Sequence, residues 1–272
     1  MKTLYVSDLD GTLLRSNEMT SDYTNNTINM LVEKGMIFSY ATARSFQTSH
    51  KVTKGLVAKI PLIIYNGTMV VDNQDGAFLL KNFFTTDVKK LIEELIDNDI
   101  FPIVYSFMEG VEKFSFLPEK CSEGMKQFLA TRKGDIRENP VQSISELYKG
   151  EIFYVTCIDD EQKLKPLFDK YKMKYHCVFQ VDMYTGEQWL EIMPKEASKA
   201  NAIKQLKELL GCDKVVAFGD GVNDIDMFEM ADEAYAVENA VNELKEIATD
   251  VIECNDNDGV AKWLWENYSE QE

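Results

Sequence analysis

Histidine is scarce in this sequence, and its scarcity removes several kinds of active site. The 272 residues contain two histidines, His50 and His176, which lie far apart in unrelated sequence contexts. A histidine-based zinc site and a Ser-His-Asp triad both need histidine beside other catalytic side chains. We therefore expect neither kind of site.

The cysteines form neither a disulfide framework nor a metal-binding pattern. Their number is odd, they are widely spread, and no two of them have the close spacing of a metal site. The five are Cys121, Cys157, Cys177, Cys212 and Cys254. We expect reduced thiols and a cytoplasmic protein.

Long apolar runs and an excess of positive charge are also missing. No run approaches the roughly 18 apolar residues of a membrane-spanning helix, and "MKTLYVSD" reaches an acidic residue too early for a signal peptide. There are 46 acidic and 29 basic residues, and the net charge of −17 repels nucleic acids and anionic membranes. A small or metal-shielded anion is the charged ligand that remains. The sequence carries no signal for an oligomeric state.

Short apolar runs separated by helical patterns begin the chain. The runs at residues 3–7, 37–42 and 61–66 resemble buried parallel strands, and the helical pattern after the first run ends at Gly35. Strand, helix and strand in this order predict βαβ units with right-handed crossovers. The fold class is therefore α/β with a parallel sheet.

The middle of the chain predicts an inserted domain. Residues 85–100 have the apolar periodicity of an amphipathic helix, and aromatic-rich segments with strand patterns follow. The parallel-sheet pattern returns at "WLEIMP" (189–194). We predict a discontinuous core, 1–82 and 187–272, interrupted by an α/β domain at 83–186.

Four aspartates follow predicted strands, and their clustered negative charges would need a neutralising partner. Asp8 and Asp10 lie in "DLDGT", and Asp220 and Asp224 lie in "GDGVND". Alone, each motif is explained by a turn or a helix cap. At one sheet edge, however, the four carboxylates would repel each other by several kcal/mol unless a divalent cation bound among them. Mg²⁺ prefers such oxygen ligands, and we predict a Mg²⁺ site.

Two further segments could bind a phosphate. In "ATAR", the hydroxyl of Thr42 and the following backbone N–H groups could hold phosphate oxygens at a helix start. Lys199 lies near a helix N-terminus, where the helix dipole disfavours a cation. An anionic partner would explain this lysine, although a solvated surface lysine is the alternative.

These residues together resemble the haloacid dehalogenase superfamily. "DLDGT", "ATAR", Lys199 and "GDGVND" are similar, in order and spacing, to its four motifs. The insert resembles, by position and element order, the type IIB cap of Cof-type phosphatases. The resemblance implies a Rossmann-like core with an α/β cap. It also implies a Mg²⁺-dependent phosphatase that hydrolyses small phosphorylated metabolites, sugar phosphates above all, through an aspartyl-phosphate.

The resemblance also implies roles for individual residues. Asp8 would be the nucleophile, Asp10 the general acid and base, and Lys199 the counter-charge for the phosphoryl group. Mg²⁺ would be bound by Asp8, by Asp10 through its carbonyl, and by Asp220, with Asp224 as a direct or indirect ligand. Phosphate would be held by Thr42, the N–H of Ala43, Lys199 and Asn223.

Some points stay open in the sequence. Ala43 stands where the family commonly has glycine, and Glu196 and Ala200 occupy positions that are often glycine, so these positions lack the conformational freedom of glycine. Arg44 could reach substrate or a core carboxylate, and "NG" at 66–67 could be a plain turn. A phosphosugar mutase and a non-hydrolytic phosphoacceptor or phospholigand-binding protein are the alternative functions.

Overall fold

The computed structural model describes residues 1–85, 87–181 and 186–268. The chain divides into two compact units. One comprises Met1–Lys81 and Ser198–Glu272, and the other comprises Asn82–Ala197. No helix within the described residues has both the length and the apolar character needed to cross a membrane.

The strands are numbered along the chain. They are β1 (Thr3–Asp8), β2 (Ile37–Ala41), β3 (Pro61–Ile64), β4 (Met69–Asp72), β5 (Phe78–Lys81), β6 (Ile103–Met108), β7 (Val111–Phe116), β8 (Glu138–Pro140), β9 (Glu151–Ile158), β10 (His176–Val181), β11 (Gln188–Met193), β12 (Lys214–Gly219), β13 (Glu233–Val237) and β14 (Asp250–Ile252).

The α-helices are numbered in the same way. They are α1 (Asp22–Glu33), α2 (Phe46–Val52), α3 (Val88–Asp97), α4 (Glu123–Ala130), α5 (Glu161–Tyr171), α6 (Lys199–Leu210), α7 (Ile225–Met230), α8 (Asn242–Ile247) and α9 (Gly259–Asn267).

The sheet of the first unit is mainly parallel. In the described chain its strand order is β14-β13-β12-β1-β2-β3-β4-β5, and the strands from β14 to β3 run parallel. The pattern of buried apolar runs predicted this arrangement, and the α/β prediction is confirmed. The antiparallel strands β4 and β5, which extend the sheet beyond β3, were not predicted. Because β1 lies between β2 and β12, the carboxyl ends of these three strands are neighbours.

Asp258 joins the loop after β1 to the start of α9. Its Oδ1 accepts hydrogen bonds from the hydroxyls of Ser21 (2.7 Å) and Thr24 (3.1 Å) and from Nε of Arg15 (3.0 Å). Burial alone would raise the pKa of Asp258, but these donors and the charge of Arg15 more than offset it and lower the pKa. The ionised form of Asp258 therefore stabilises the fold.

We predict that Asp258→Asn destabilises the protein by about 1–2 kcal/mol at pH 7. Asparagine also tolerates the left-handed backbone at this position (φ 58°), so the change mainly removes charge. The lowered pKa of Asp258 means that its contribution is complete above about pH 4 and disappears as the pH falls through the folded-state value. Urea unfolding between pH 7 and pH 3 measures this; a difference between variant and wild type that stayed constant down to pH 3 would contradict it.

The inserted unit has its own sheet and core. Within the described residues its strand order is β10-β11-β9-β6-β7-β8, with antiparallel pairs except between β7 and β8. The amphipathic helix predicted at 85–100 forms α3, whose apolar side packs with α5 into a core that includes Leu95, Val155 and Leu164. A second, inserted sheet was expected and is present.

The second boundary of the insert differs from the predicted one. The prediction assigned residues 187–197 to the first unit, but the inserted unit extends to Ala197. The reason is β11, which pairs with both β10 and β9 in the second sheet. Its apolar run has the same composition as a buried core strand, so the run did not reveal which sheet it joins. One of the strand patterns that follow residues 85–100 covers 176–183; it corresponds to β10 (His176–Val181), and residues 182 and 183 lie outside the described residues.

Candidate active site

The candidate site lies at the carboxyl ends of β1, β2 and β12, entirely within the first unit. Asp8 is the last residue of β1 and is paired in register with Ala41 of β2, directly before Thr42. Asp220 follows β12, and Asp224 precedes α7. Ligands bind at this end of strands in open parallel sheets. The site is completed by the start of α6.

Lys199 is the buried cation of the site. It is the first residue of α6, where Ser198 is the N-cap and accepts a hydrogen bond from the N–H of Asn201. Its Nζ lies 2.5 Å from Oδ1 of Asp8 and 2.8 Å from Oδ1 of Asp224, and the lysine is 4% exposed. Burial would lower the pKa of Lys199, but Asp224 and Asp8 more than offset this and raise it, so Lys199 is charged. It is not a solvated surface lysine.

Asp8, Asp220 and Asp224 form a compact carboxylate cluster. Each offers one oxygen, and these oxygens all lie within 4.8 Å of one another. Burial, together with the charge of Asp224, raises the pKa of Asp220 to about 6. The pKa of Asp8 is raised well above its ordinary value by burial and by the neighbouring carboxylates, although Lys199 opposes the shift.

These side chains fit a divalent cation. One lysine cannot neutralise three ionised carboxylates, and the raised pKa values of Asp8 and Asp220 reflect their burial first and the remaining repulsion second. Three convergent carboxylate oxygens are the donor type that Mg²⁺ prefers. The cluster can therefore hold Mg²⁺, and the bound ion would relieve the repulsion.

Asp220 is fixed by the "DGT" segment. The hydroxyl of Thr12 donates a 2.8 Å hydrogen bond to Oδ1 of Asp220. Gly11 lies so close that a Cβ at this position would be 2.3 Å from Oδ2 of Asp220, and its φ of +79° also favours glycine. Thr12 was not among the site residues predicted from the sequence. The polar residue directly after that glycine was the available signal.

Asp224 is fully buried, and both of its carboxylate oxygens accept hydrogen bonds. Its Oδ2 accepts the backbone N–H of Asp220 (3.1 Å) and of Gly221 (3.2 Å), while Oδ1 accepts Lys199. Asp224 therefore fixes the loop that follows β12 as well as the lysine. Asn223 is exposed, and its Oδ1 lies against Gly221, where a Cβ would be 2.5 Å away.

Asp10 lies outside the carboxylate cluster and is held by Arg44. Nε of Arg44 lies 2.9 Å from Oδ2 of Asp10, and Nη2 lies 2.5 Å from Oδ1, which is a bidentate pair. Glu18 also lies 3.5 Å from this guanidinium. The Asp10 side chain is 42% exposed. Of the two roles left open for Arg44, the structure places it on a carboxylate, and that carboxylate belongs to the site.

The "ATAR" loop is tightly bonded to its surroundings. The N–H of Thr42 donates to the carbonyl of Ile63 (2.9 Å), and the Thr42 hydroxyl accepts the N–H of Arg44 (3.1 Å). Ala43 is exposed and its φ is not positive, so alanine causes no left-handed strain here. Ala200 is buried in α6 and Glu196 is exposed, outside the helix.

Comparisons with known proteins match nearly the whole chain. The model of a family described as haloacid dehalogenase-like hydrolase matches residues 5–264. The 5-amino-6-(5-phospho-D-ribitylamino)uracil phosphatase YwtE of Bacillus subtilis is 28% identical, over 94% of this chain and 95% of its own. A second B. subtilis phosphatase of the same description, YitU, is 24% identical, over 98% of this chain and 97% of its own.

Solved structures share the fold over the whole chain. A Thermotoga maritima protein has a TM-score of 0.77 and 28% identity, covering 99% of this chain and 98% of that one. A haloacid dehalogenase-like hydrolase of Bacteroides thetaiotaomicron has a TM-score of 0.78 and 21% identity, covering 98% of this chain and 100% of that one. The second comparison bears on the fold alone.

Proposed function

The chain belongs to the haloacid dehalogenase-like hydrolases, and we propose that it is a Mg²⁺-dependent phosphatase of small phosphorylated metabolites. The observation that carries the proposal is the buried Lys199, which lies between Asp8 and Asp224 beside the candidate Mg²⁺ ligands. It supports the proposal because the proposed nucleophile, a fixed positive charge and the candidate cation site then lie together. Phosphoryl transfer requires little more than positioning and neutralisation of charge.

In the proposed reaction, Asp8 attacks the phosphoryl group. A carboxylate oxygen of Asp8 bonds to phosphorus as the bond between phosphorus and the ester oxygen breaks. Asp10 donates its proton to the ester oxygen, and the product leaves as an alcohol. Asp10 then accepts a proton from water as the water oxygen bonds to phosphorus. The Asp8–phosphate bond breaks, inorganic phosphate is released, and both carboxyl groups return to their starting states.

The other residues neutralise and orient the phosphoryl group. Lys199 is the fixed positive charge beside Asp8, and Thr42, the N–H of Ala43 and Asn223 are the proposed phosphate donors. Asp8, Asp220 and Asp224 would hold Mg²⁺, with the Asp10 carbonyl added by the family resemblance. When bound, Mg²⁺ supplies a Lewis acid for the phosphoryl oxygens.

Arg44 bears on the proposed role of Asp10. Its bidentate pair holds the ionised Asp10 carboxylate at the rim of the site, so one oxygen must be released from Arg44 before Asp10 can carry the proton that it donates. A general acid must reach the ester oxygen, so its orientation matters as much as its chemistry. We propose that Arg44 acts on the substrate only through Asp10.

For the substrate we propose a phosphate monoester of a sugar or a related polyol. Two relatives that match nearly the whole chain are named for a phosphorylated ribitylamino compound, in which a polyol carries the phosphate. The strongly negative net charge of −17 makes nucleic acid a poor ligand for this chain and leaves small phosphate esters as candidates.

The proposal is tested by phosphate release across a panel of compounds with Mg²⁺ present. The panel contains sugar phosphates, polyol phosphates, 5-amino-6-(5-phospho-D-ribitylamino)uracil, nucleotides and cofactor phosphates. We expect the highest kcat/KM among the sugar and polyol esters. Formation of an isomeric sugar phosphate without phosphate release would instead indicate a phosphosugar mutase. Absence of any turnover would favour a phosphoacceptor or phospholigand-binding protein.

We predict that EDTA lowers phosphate release by about 10²-fold or more and that added Mg²⁺ restores it. Several kcal/mol of transition-state stabilisation depend on neutralising the phosphoryl charge, and a few kcal/mol correspond to this factor. The measurement is the rate of p-nitrophenyl phosphate hydrolysis at increasing EDTA, followed by a Mg²⁺ titration. A rate that is indifferent to the chelator would remove the metal from the mechanism.

A further inference from the structure

A left-handed segment follows β3 beside the candidate site. Tyr65, Asn66 and Gly67 have φ values of 49°, 53° and 91°, so three successive residues adopt a conformation that favours glycine. Such conformations in residues other than glycine persist only where the surroundings impose them, and they concentrate at functional sites. The "NG" pair is therefore part of a constrained segment and not a plain turn.

On one side this segment is bonded to the proposed phosphate loop. The N–H of Tyr65 donates to the carbonyl of Arg44 (3.1 Å), and the N–H of Asn66 donates to the carbonyl of Thr42 (2.9 Å). The position of the segment is thus tied to the loop that carries Thr42.

On its other side the segment contacts the start of α6. A Cβ built on Gly67 would lie 2.2 Å from the carbonyl oxygen of Ser198, 2.5 Å from its carbonyl carbon and 3.1 Å from the N–H nitrogen of Lys199. These are backbone atoms of the helix start, so they cannot rotate away as the end of a flexible side chain could. The Ser198 carbonyl also accepts the N–H of Ala202 (2.9 Å), the first hydrogen bond of the helix.

Thr68 supports this view of the segment. Its side chain is fully buried, and its hydroxyl has no hydrogen-bond partner among the described residues. Native proteins leave few buried hydroxyl groups unsatisfied. The residues on both sides of Gly67 are therefore in locally unfavourable states: the backbone of Tyr65 and Asn66 is left-handed, and the Thr68 hydroxyl is buried without a partner among the described residues.

We propose that Gly67 is a positioning residue for the proposed reaction, acting through Lys199. The absence of a side chain lets the segment approach Ser198 and fixes the start of α6, and this sets where Lys199 Nζ lies between Asp8 and Asp224. The segment thereby ties the position of the phosphate loop to that of the catalytic lysine. This inference rests on the proposed phosphatase activity.

The test is Gly67→Ala, compared with Gly35→Ala as a matched control. Gly35 has a similar φ of +98°, but a Cβ there would meet only Tyr268 Oη at 3.8 Å, an ordinary contact. Both variants carry the same backbone strain, and only Gly67→Ala crowds the helix start. We expect Gly67→Ala to lower kcat by about 10- to 100-fold, since small misplacements of catalytic groups have effects of this size. Gly35→Ala should retain nearly full kcat.

A double-mutant cycle with Lys199→Met distinguishes positioning from a general structural effect. If Gly67 acts through Lys199, Gly67→Ala should change kcat by less than about twofold in the Lys199→Met background. An equal fall in both backgrounds would overturn the inference, and so would a Gly67→Ala enzyme as active as Gly35→Ala.

Two further measurements keep the inference testable in every case. A crystal structure of Gly67→Ala should show Lys199 Nζ displaced from Asp8, and an unchanged distance would refute the inference even in a chain without phosphatase activity. If Gly67→Ala does not fold, Ser198→Ala enters the same cycle, because it removes the N-cap hydroxyl that accepts the N–H of Asn201 and so loosens the helix start that Gly67 contacts. A wild-type chain that releases no phosphate would refute the proposed function alone.

Discussion

Asp8→Asn is expected to lower the rate of p-nitrophenyl phosphate hydrolysis by at least about 10⁴-fold, because the substitution removes the proposed nucleophile. An amide has nearly the size of a carboxylate, so the buried end of β1 accommodates it. Burial and the neighbouring carboxylates hold the pKa of Asp8 well above its ordinary range, which shows that its negative charge is poorly accommodated without a cation. The variant should therefore fold at least as well as the wild type in the absence of metal.

The control is Asp226→Asn, the same chemical change at an exposed carboxylate in the first turn of α7. It should leave the rate within about twofold of wild type, as expected of a surface substitution. Thermal unfolding of both variants establishes that they are folded. Undiminished hydrolysis by folded Asp8→Asn would rule out Asp8 as the nucleophile.

The parts of the fold and site that depend on strand ends could be predicted from the sequence. An apolar run followed by a carboxylate indicates a buried strand and its carboxyl end, and a parallel sheet brings the carboxyl ends of its strands to one edge. This logic led to Asp8, Asp220 and Asp224, whose oxygens do converge. Lys199 was singled out because a helix N-terminus disfavours a cation, and the structure supplies two carboxylate partners.

The parts that depend on tertiary contacts could not be predicted in this way. Nothing in "ATAR" specifies that Arg44 extends to Asp10. The arginine side chain is long, and the sequence does not show which of several carboxylates it contacts after folding. Likewise, "NG" indicates a positive φ but not the approach of Gly67 to Ser198, since the two lie 131 positions apart in the chain and only the folded sheet brings them together. The strand β11 was misplaced for the same reason.

Lys199→Met is expected to lower kcat by about 10³-fold, which is the loss seen when a fixed charge or donor is removed from a transition state that develops charge. Methionine fills most of the volume of the lysine stem, so the change mainly removes the ammonium group. Lys204→Met, on the exposed side of α6, makes the same replacement outside the site and should leave kcat nearly unchanged. A Lys199→Met enzyme with wild-type kcat would contradict the proposed counter-charge.

Stability separates the catalytic role of Lys199 from its structural one. In EDTA, Lys199→Met leaves the buried carboxylates of Asp8 and Asp224 without their cation, and removing one partner of a buried pair costs about 3–5 kcal/mol. Mg²⁺ bound by the same carboxylates would replace the lost positive charge, so urea unfolding should show the deficit shrinking as Mg²⁺ is added. The kcat deficit should persist at saturating Mg²⁺, because the proposed reaction uses both positive charges, that of the ion and that of Nζ fixed between Asp8 and Asp224. If saturating Mg²⁺ restored kcat together with stability, Lys199 would be a structural counter-ion and not part of the catalytic machinery.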